Sequence, residues 1–411
     1  MTKLQFRLNI ILFFIISVLF FVSISAFDPF ISAYAKNLGI SPAVIGSIMG
    51  VTGLASVLVR FPLGVFADIL NRRRLIIQLG LFVTVVGWTV AFLDPGVITL
   101  YLGKFLDGIT GSTWVIYTVM FASYFSSGSS ANSLAYLTMA NYAGALIGSM
   151  VGGIVAKYQG YPYSFLVAVF AAAIAIVLTF FLKEPKMTHE KKKYNIKQVV
   201  IEQVTDKNLW ILSLLAIVSL MAPFGMMGTF TPLEAKDLGA GAIALSWLSN
   251  TYFIAAGVAA ASCGVFFYKK IGLVNTAVLG AFLQFIDAVL TPYAPNLPLL
   301  FLLQAFSGVA FALNFTVLMS LIIVDIPDYK QSTRMGLFQS VYCFGIFFGP
   351  VLMGILTASF SRSFSFVIIG ILSAISGILI KLFLKTKTHE KQKILTETIQ
   401  VNKYKRLRGV K

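Results

Sequence analysis

Long apolar stretches alternate with short polar breaks along the whole chain. A helix needs about 20 mostly apolar residues to cross roughly 30 Å of hydrocarbon, and the sequence holds twelve such stretches. The first six cover residues 8–35, 42–67, 74–93, 97–125, 131–156 and 161–182. The second six cover residues 208–235, 242–267, 273–291, 297–326, 333–358 and 361–384. The pattern predicts an all-α integral membrane protein with twelve spanning helices.

One longer polar break divides these stretches into two sets of six. We expect an N-terminal six-helix bundle over residues 1–182, a linker over 183–207, a C-terminal six-helix bundle over 208–384 and a basic tail over 385–411. Apolar residues recur at helical spacing in the second part of the linker, which predicts an amphipathic helix on the cytoplasmic membrane surface. The tail is basic and polar, and we expect it to contact anionic lipid at most.

The two halves of the chain repeat each other. Gly64-Val65-Phe66 returns two hundred positions later as Gly264-Val265-Phe266. Residues 35–39, Ala-Lys-Asn-Leu-Gly, return as Ala-Lys-Asp-Leu-Gly at 235–239. Several matches in one register indicate duplication of a whole bundle, an arrangement in which many transporters build a site between their halves.

Composition and charge agree with a membrane protein. The chain is 58% hydrophobic and only 11% charged, whereas soluble domains are about a quarter charged. The net charge of +17 results from 32 Lys and Arg against 15 Asp and Glu. Most of these Lys and Arg fall on one side of the membrane if the N-terminus is cytoplasmic. This is the positive-inside pattern, so we expect a multi-pass plasma-membrane protein with both termini in the cytoplasm. We expect a monomer that binds no nucleic acid.

The sequence contains no motif that is typical of an enzyme active site. The first apolar stretch is too long for the core of a signal peptide, so we expect an uncleaved helix. Cys263 and Cys343 fall in different spans, which gives neither a disulfide framework nor a metal-ligand spacing. Both His189 and His389 fall in cytoplasmic segments. With no catalytic cluster, nucleotide loop or appended domain, we expect no enzymatic activity, cofactor or metal.

The turn between the second and third predicted spans carries the most specific motif. Residues 60–74 read Arg-Phe-Pro-Leu-Gly-Val-Phe-Ala-Asp-Ile-Leu-Asn-Arg-Arg-Arg. They resemble Gly-x-x-x-Asp-x-x-Gly-Arg-Arg, the signature loop of the major facilitator superfamily, with Asn71 in place of the second Gly. The matching positions hold Gly64, Asp68, Arg72 and Arg73. The resemblance extends over essentially the whole chain and implies a secondary transporter whose two halves expose a central site alternately.

This loop is expected to act as a cytoplasmic gate. Gly64 allows a neighbouring helix to approach closely, and Asp68 can accept hydrogen bonds from the positive end of another helix. The resemblance suggests a partner at the start of the eleventh span, near Arg334. A loop whose Arg residues only anchor it at the membrane is the alternative. In the second half Tyr268 stands in place of the acid.

The fourth span places two charges on one helical face. Lys104, Asp107 and Trp114 fall within a stripe roughly 80° wide. A charge at mid-membrane costs about 2.5 to 3.5 kcal/mol, so such charges should face a cavity and find partners. The segment resembles the Arg-x-x-Gln-Gly motif of proton-coupled family members, with both polar positions changed. We expect either a substrate and proton cavity or a simple Lys104–Asp107 pair.

The first span supplies another candidate acid beside a helix break. Asp28 and Lys104 each lie about seven residues from the outer end of a span, so both are roughly 10 Å deep and can meet. Pro29 follows Asp28, and Pro223 and Pro232 occupy the seventh span, its counterpart. Broken helices at corresponding positions point to the site of a transporter, and we expect hinges there. Capping of the local break is the alternative role of Asp28.

Glycines recur every four residues in the fifth span, and a Gly-Pro pair lies in its counterpart, the eleventh. They are Gly144, Gly148 and Gly152 in the fifth span, and Gly349 followed by Pro350 in the eleventh. The first set resembles the Gly-Pro-x-x-Gly-Gly element of antiporter members, with Ser149 in place of Pro. Tight packing of any helix pair uses the same spacing. We expect these residues to form the interface at which the halves rock.

Several functions are compatible with these residues. Proton-coupled efflux of an amphipathic or cationic small molecule is favoured by acids in an aromatic-rich interior, with protonation of Asp28 or Asp107 as the coupling step. Uptake or exchange of a small organic anion or a sugar is the alternative, favoured by the charge of Lys104. A non-transporting sensor or scaffold of the same fold is a third possibility. Asp287, in a span that the resemblance places at the periphery, has either a structural or a transport role.

Overall fold

The computed structural model describes residues 3–70, 72–125, 130–184, 196–323 and 326–407 as an assembly of α-helices. The first half comprises α1 (Lys3–Ser25), α2 (Asp28–Asn37), α3 (Pro42–Leu70), α4 (Arg73–Leu93), α5 (Val97–Ser112), α6 (Trp114–Ala122), α7 (Ser130–Gln159) and α8 (Tyr163–Phe180). The linker contains α9 (Ile196–Val204). The second half comprises α10 (Lys207–Gly225), α11 (Thr231–Asp237), α12 (Ala242–Ser262), α13 (Tyr268–Ile271), α14 (Leu273–Leu290), α15 (Leu297–Ile323), α16 (Asp328–Ser359) and α17 (Arg362–Leu407).

The predicted twelve-span fold is confirmed. Eleven helical segments of the described chain are long and apolar enough to cross a membrane. The fourth span is the pair α5 and α6, which a turn at Thr113 separates. Ser112 and Thr113 donate to the carbonyl oxygens of Gly108 and Thr110, at 2.8 and 2.7 Å. Such side-chain bonds compete with the helical ladder, and the helix is interrupted there.

The first and seventh spans are both broken, as the proline pattern predicts. The first span stops at Ser25 and resumes with α2, where Pro29 lies in the first turn. The seventh contains Pro223 within α10 and then a π-helical turn, Met226–Phe230, before α11 begins with Pro232 in its first turn. Proline fits the first turn of a helix because the backbone N–H it lacks would have no partner there.

The glycines expected at the rocking interface pack helices within each half instead. A Cβ on Gly152 would lie 1.7 Å from the carbonyl oxygen of Ala26 on the first span, and Gly144 and Gly148 face α1 in the same way. A Cβ on Gly349 would lie 2.3 Å from the carbonyl oxygen of Met221 in α10. This expectation was therefore wrong for all four glycines, because a four-residue spacing keeps them on one helical face and that face meets the same half.

Two other helix pairs join the halves. Helix α3 packs along α16, and a Cβ on Gly46 would lie only 2.2 Å from the carbonyl oxygen of Pro350. Helix α7 meets α12 through the helical face next to the one that carries Gly144, Gly148 and Gly152. There Ser149 donates to Asn250 Oδ1 (2.6 Å) and accepts from Ser246 through its carbonyl oxygen (2.7 Å). Of the predicted interface residues, Pro350 is thus the one that contacts the other half.

The linker helix docks on the protein. Helix α9 forms where an amphipathic helix was predicted, but its Val199 and Gln203 side chains are buried. Glu202 forms an ion pair with Lys330 of α16. The apolar face is therefore covered at least in part by α16 rather than by lipid alone. At the other end of the chain, the predicted basic tail continues α17 as a helix to Leu407, in a stretch without Gly or Pro.

Candidate functional site

A cavity of about 400 Å³ lies between the two halves. Its charged lining comes from the first half, where Asp28, Arg60, Lys104 and Asp107 face it. Aromatic and neutral polar side chains line the second half, including Tyr252, Gln304, Phe311, Phe315 and Tyr342. This volume is in the range of pockets that hold small organic ligands, about 300 to 1,000 Å³.

Lys104 holds two carboxylates at the wall of the cavity. Its Nζ donates to Asp28 Oδ1 at 2.8 Å and to Asp107 Oδ2 at 3.1 Å. The predicted meeting of Asp28 and Lys104 across two spans is therefore present. One positive and two negative charges leave this acid–lysine cluster (Asp28, Lys104 and Asp107) with a net charge of −1 when both carboxyl groups are ionised.

The two acids differ in access to the cavity. The Asp28 side chain is 43% exposed, whereas the side chains of Lys104 and Asp107 are 4% and 3% exposed. Asp107 Oδ1 is buried and accepts no hydrogen bond from the described residues. Asp28 is thus the carboxylate that a proton or a ligand in the cavity can reach directly.

The local fold explains how these side chains meet. Because the first span restarts at Asp28, this residue lies in the first turn of α2, where its carboxylate accepts from Lys104. Helix α5 is held against α3 by Thr52, whose hydroxyl donates to the Lys104 carbonyl oxygen at 3.0 Å. Gly108 makes the close approach possible, since a Cβ there would lie 2.3 Å from the Thr52 carbonyl oxygen.

Arg60 is the charged residue of the described cavity lining to which the sequence pattern assigned no role. It reaches from α3 toward the second half, and its Nη1 donates to the Tyr342 hydroxyl at 3.2 Å. Nη2 donates to the Gly111 carbonyl oxygen at 3.5 Å, and Nε is buried without a partner in the described chain. A charge inside a predicted span is the signal that could have identified it.

Aromatic side chains form two walls of the cavity. Trp114 contacts Phe21 at 4.9 Å between ring centroids on the first-half side, and both line the cavity as predicted for Trp114. On the opposite side Phe311 and Phe315 stack at 5.1 Å. The surface that the described residues offer a ligand is mainly apolar, and its charges are those of the acid–lysine cluster and Arg60.

Sequence and structural comparisons agree with this architecture. The model of the Major Facilitator Superfamily matches residues 13–235 and 212–408, which together span nearly the whole chain. The chain belongs to the major facilitator superfamily. It is a membrane transporter of that superfamily, and its two six-helix bundles with a cavity between them are the superfamily fold.

Three relatives and one solved structure illustrate the range of similar proteins. The uncharacterized MFS-type transporter YuxJ of Bacillus subtilis is 24% identical over 84% of this chain and 91% of its own length. The multi-drug resistance efflux pump PmrA of Streptococcus pneumoniae is 26% identical over 58% of this chain and 61% of its own. The cis,cis-muconate transport protein of Acinetobacter baylyi is 21% identical over 74% and 76%. A bacterial homologue of the human lysosomal transporter Spinster, in an inward-facing and occupied conformation, has a TM-score of 0.78 at 15% identity, covering 94% of this chain and 98% of that chain.

The signature loop of the superfamily is only partly described. Arg72 is exposed and Arg73 is buried. The surroundings of Gly64 and the side chain of Asp68 lie outside the part of the protein that the structure describes. Arg334, the expected partner, contacts the linker: its Nη1 donates to Asp206 Oδ2 at 2.5 Å. The same group donates to Gln203 Oε1 at 2.9 Å, and Nε donates to the Ile322 carbonyl oxygen at 2.6 Å. In this conformation Arg334 therefore ties the linker to the second half.

Asp287 lies outside the lining of the central cavity. It is 1% exposed and accepts from Gln284 Nε2 at 3.1 Å and from the Thr291 hydroxyl at 3.3 Å. Gln284 also donates to Ser307, which occupies the repeat position of Asp107. Among the described residues of the second half, the buried acid thus lies behind the cavity rather than in it.

An outer ion-pair cluster joins the halves on the side opposite the start of α1, which we call the outer side. Lys36 of α2 pairs with Asp237 of α11. Arg362 of α17 binds the same carboxylate at 2.7 Å and lies 3.4 Å from Glu234. These four residues, together with the close contact of Gly46 and Pro350, close the cavity toward the outer side.

Proposed function

We propose that this transporter exports an amphipathic compound with a cationic group in exchange for protons, by alternating access to the central cavity. The observation that carries the proposal is the acid–lysine cluster, whose net charge of −1 is presented to the cavity by Asp28. The aromatic walls provide apolar surface for the remainder of such a compound. The similarity to a multi-drug resistance efflux pump is consistent with this direction.

Competition for the cluster gives a mechanism of exchange. A proton and a cationic group each neutralise a net charge of −1, and charge interactions are stronger in a poorly hydrated cavity than in water. On the inner side a proton leaves Asp28 and the compound binds. On the outer side a proton displaces the compound. Protons moving inward down their gradient then drive the compound outward.

Uptake or exchange of a small organic anion or a sugar is the second candidate. The sequence favoured it through the charge of Lys104, and a muconate transport protein is among the relatives. Two carboxylates compensate the Lys104 charge, however, and this supports the cationic reading. A Lys104→Ala variant separates the two candidates. Loss of anion binding would support uptake, and retained efflux of a lipophilic cation would support export.

Transport in the outward direction requires that the transporter lies in the plasma membrane with both termini in the cytoplasm. The support is the concentration of Lys and Arg in the termini, the linker and the Arg72–Arg74 loop. We expect a monomer, because the cavity is formed within one chain.

The test uses purified transporter in proteoliposomes. A thermal-shift screen of small amphipathic amines across pH identifies a ligand, since binding to the folded state raises the melting temperature. Each of the variants Asp28→Asn and Asp107→Asn removes the net charge of −1 that attracts the cationic group. Both proteins should therefore bind this ligand more weakly, with less dependence on pH, and lose at least about 90% of its pH-gradient-driven movement. Asp94→Asn, which removes an exposed acid at the outer end of α4, is the matched control. Wild-type rates in both cavity variants would overturn the proposal.

A further inference from the structure

We propose that Arg60 and Tyr342 form an anion-binding subsite of the central cavity, which takes a carboxylate or similar acidic group of the transported compound. This rests on the proposed function only in treating the cavity as the substrate site. Combined with an amine bound at Asp28, it makes the compound an amphipathic zwitterion. A pure organic cation would leave the subsite unused.

The hydrogen bonding of Arg60 is incomplete. A guanidinium has five N–H donors, and the described chain offers Arg60 two acceptors, the Tyr342 hydroxyl at 3.2 Å and the Gly111 carbonyl oxygen at 3.5 Å. Both are neutral, and both distances are at the long end for a charged donor. The buried Nε has no acceptor within the described part of the chain. The group therefore has donors left for a ligand.

Charge compensation is also incomplete at Arg60. Lys104 lies between two carboxylates, and Arg334, 4% exposed, pairs with Asp206. The ion pairs formed by the described side chains do not include Arg60. Arginine stays protonated in proteins, and a charge within a membrane protein is costly unless it is paired or hydrated. An acidic group on the ligand would supply the missing counter-charge through two parallel hydrogen bonds.

The two charged positions are separated along the cavity. Arg60 contacts the backbone of α5 at Gly111, which is one helical turn beyond Asp107 and about two turns beyond Lys104. At 1.5 Å per residue, the separation along the helix axis is roughly 6 to 10 Å. An aromatic ring system with an amine at one end and an acid at the other spans this distance.

The second half provides an aromatic surface next to Arg60. The Arg60 guanidinium carbon lies 5.9 Å from the centroid of the Tyr342 ring, and Tyr342 meets Phe315 edge-to-face at 5.5 Å. Phe311 stacks on Phe315. Because Arg60 belongs to the first half and Tyr342 to the second, a ligand at this subsite contacts both halves. Binding there would be sensitive to their relative position.

The experiment measures binding of three matched probes to the full-length purified transporter at pH 7 by titration calorimetry. The probes share a naphthalene ring: 6-(aminomethyl)-2-naphthoic acid is the zwitterion, 2-naphthylmethylamine the cation and 2-naphthoic acid the anion. We expect the wild-type transporter to bind the zwitterion at least about tenfold more tightly than the cation. Arg60→Gln should abolish this difference and change the affinity for the cation by less than about twofold.

Two further variants control for the fold and for charge. Arg60→Lys retains a positive charge without the planar pair of donors, so we expect it to keep part of the preference for the zwitterion. It also replaces Arg60→Gln if that protein does not fold. Lys157→Gln removes an exposed cation on the outer side and should bind all three probes as the wild type does.

Other outcomes would overturn the inference. They are equal affinity of the wild type for zwitterion and cation, no detectable binding of either acid-bearing probe, and an unchanged preference in Arg60→Gln. Loss of all three probes in Arg60→Gln at an unchanged melting temperature would instead assign Arg60 to joining the halves. None of these results depends on a proton gradient, so failure of the proposed proton exchange would leave the subsite tested separately.

Discussion

Lys36 of the first half forms an ion pair with Asp237 of the second half, and the repeat of the chain does not provide the reverse pair. The position equivalent to Asp237 in the first half is Asn37, so Lys236 has no acid there. Lys236 donates to the Tyr161 hydroxyl at 3.4 Å instead. Closure of the outer side is therefore asymmetric, although the two bundles are copies.

The outer ion-pair cluster should bias the transporter toward the outer-closed conformation. The side chains of Lys36 and Asp237 are 40% and 42% exposed, and exposed pairs contribute only about 0.2 to 1 kcal/mol. Asp237→Asn should therefore increase the outer-open population by a few fold. Leu93 and Tyr293 are exposed at the outer side of the two halves. Spin labels on Leu93→Cys and Tyr293→Cys, in a protein from which Cys263 and Cys343 have been removed, would give the distance between the labels by pulsed electron paramagnetic resonance. Asp94→Asn is the control, and identical distance distributions in Asp237→Asn and wild type would contradict the prediction.

Gly46 should be required for outer closure. An Ala Cβ there would lie 2.2 Å from the Pro350 carbonyl oxygen and 3.0 Å from the Gly354 Cα. Because the clash is between the halves, Gly46→Ala should favour the outer-open conformation and slow transport at least about tenfold. The same spin-label pair and a transport assay measure both effects. Gly336→Ala, where the added Cβ meets no atom of the described residues within 4 Å, should leave them unchanged; a similar loss in both variants would refute the assignment.

Gly152 should affect stability rather than conformation. An added Cβ would meet the Ala26 carbonyl oxygen at 1.7 Å, but both residues belong to the first half. Overpacking of this kind typically costs about 1 to 3 kcal/mol. We expect Gly152→Ala to lower the melting temperature without a shift in the outer label distance. A shifted distance at unchanged stability would return Gly152 to the interface between the halves.

Asp206 should stabilise the junction of linker and second half in two separable ways. Its carboxylate caps α10 by accepting from Asn208 N at 2.8 Å and pairs with the buried Arg334. Asp206→Asn keeps an acceptor for the cap and removes the charge. We expect Asp206→Asn to lower the free energy of unfolding by about 1 to 3 kcal/mol. This is less than for a fully buried pair, because the Asp206 side chain is 28% exposed. Asp206→Ala should lose about 1 kcal/mol more. Thermal unfolding in one detergent checks this, and an Asn variant as stable as wild type would show that the charge contributes nothing.

Asp287 should be dispensable for proton coupling. Its described partners Gln284 and Thr291 are neutral, and it lies outside the cavity lining. Asp287→Asn should therefore retain pH-gradient-driven transport within about twofold of wild type, measured beside Asp28→Asn. Loss of coupling in Asp287→Asn would place this acid on the proton path.

The depth of a side chain in the membrane could be predicted from the sequence, but the neighbouring helix toward which it points could be predicted only in part. Counting residues from the outer helix ends placed Asp28 and Lys104 at one level, and the two side chains do meet. The same procedure could not show that Arg60 faces the cavity, because depth along a span does not show toward which neighbouring helix a side chain points. It also could not separate the α7 face that meets α1 from the face that meets α12, since both carry small residues.

The amino-acid pattern was enough to predict the class of the protein, the number of spans, the duplication and the positions at which helices break. These follow from hydropathy, side-chain spacing and proline, which act along a single segment of chain. The packing of the helices was needed to show that Lys104 is shared by two acids, that Arg334 pairs with Asp206, and that Arg60 has no acid among the described side chains. Each of these depends on how helices distant in sequence are placed side by side. In a membrane interior, where an uncompensated charge is costly, that placement decides which charges remain for a ligand.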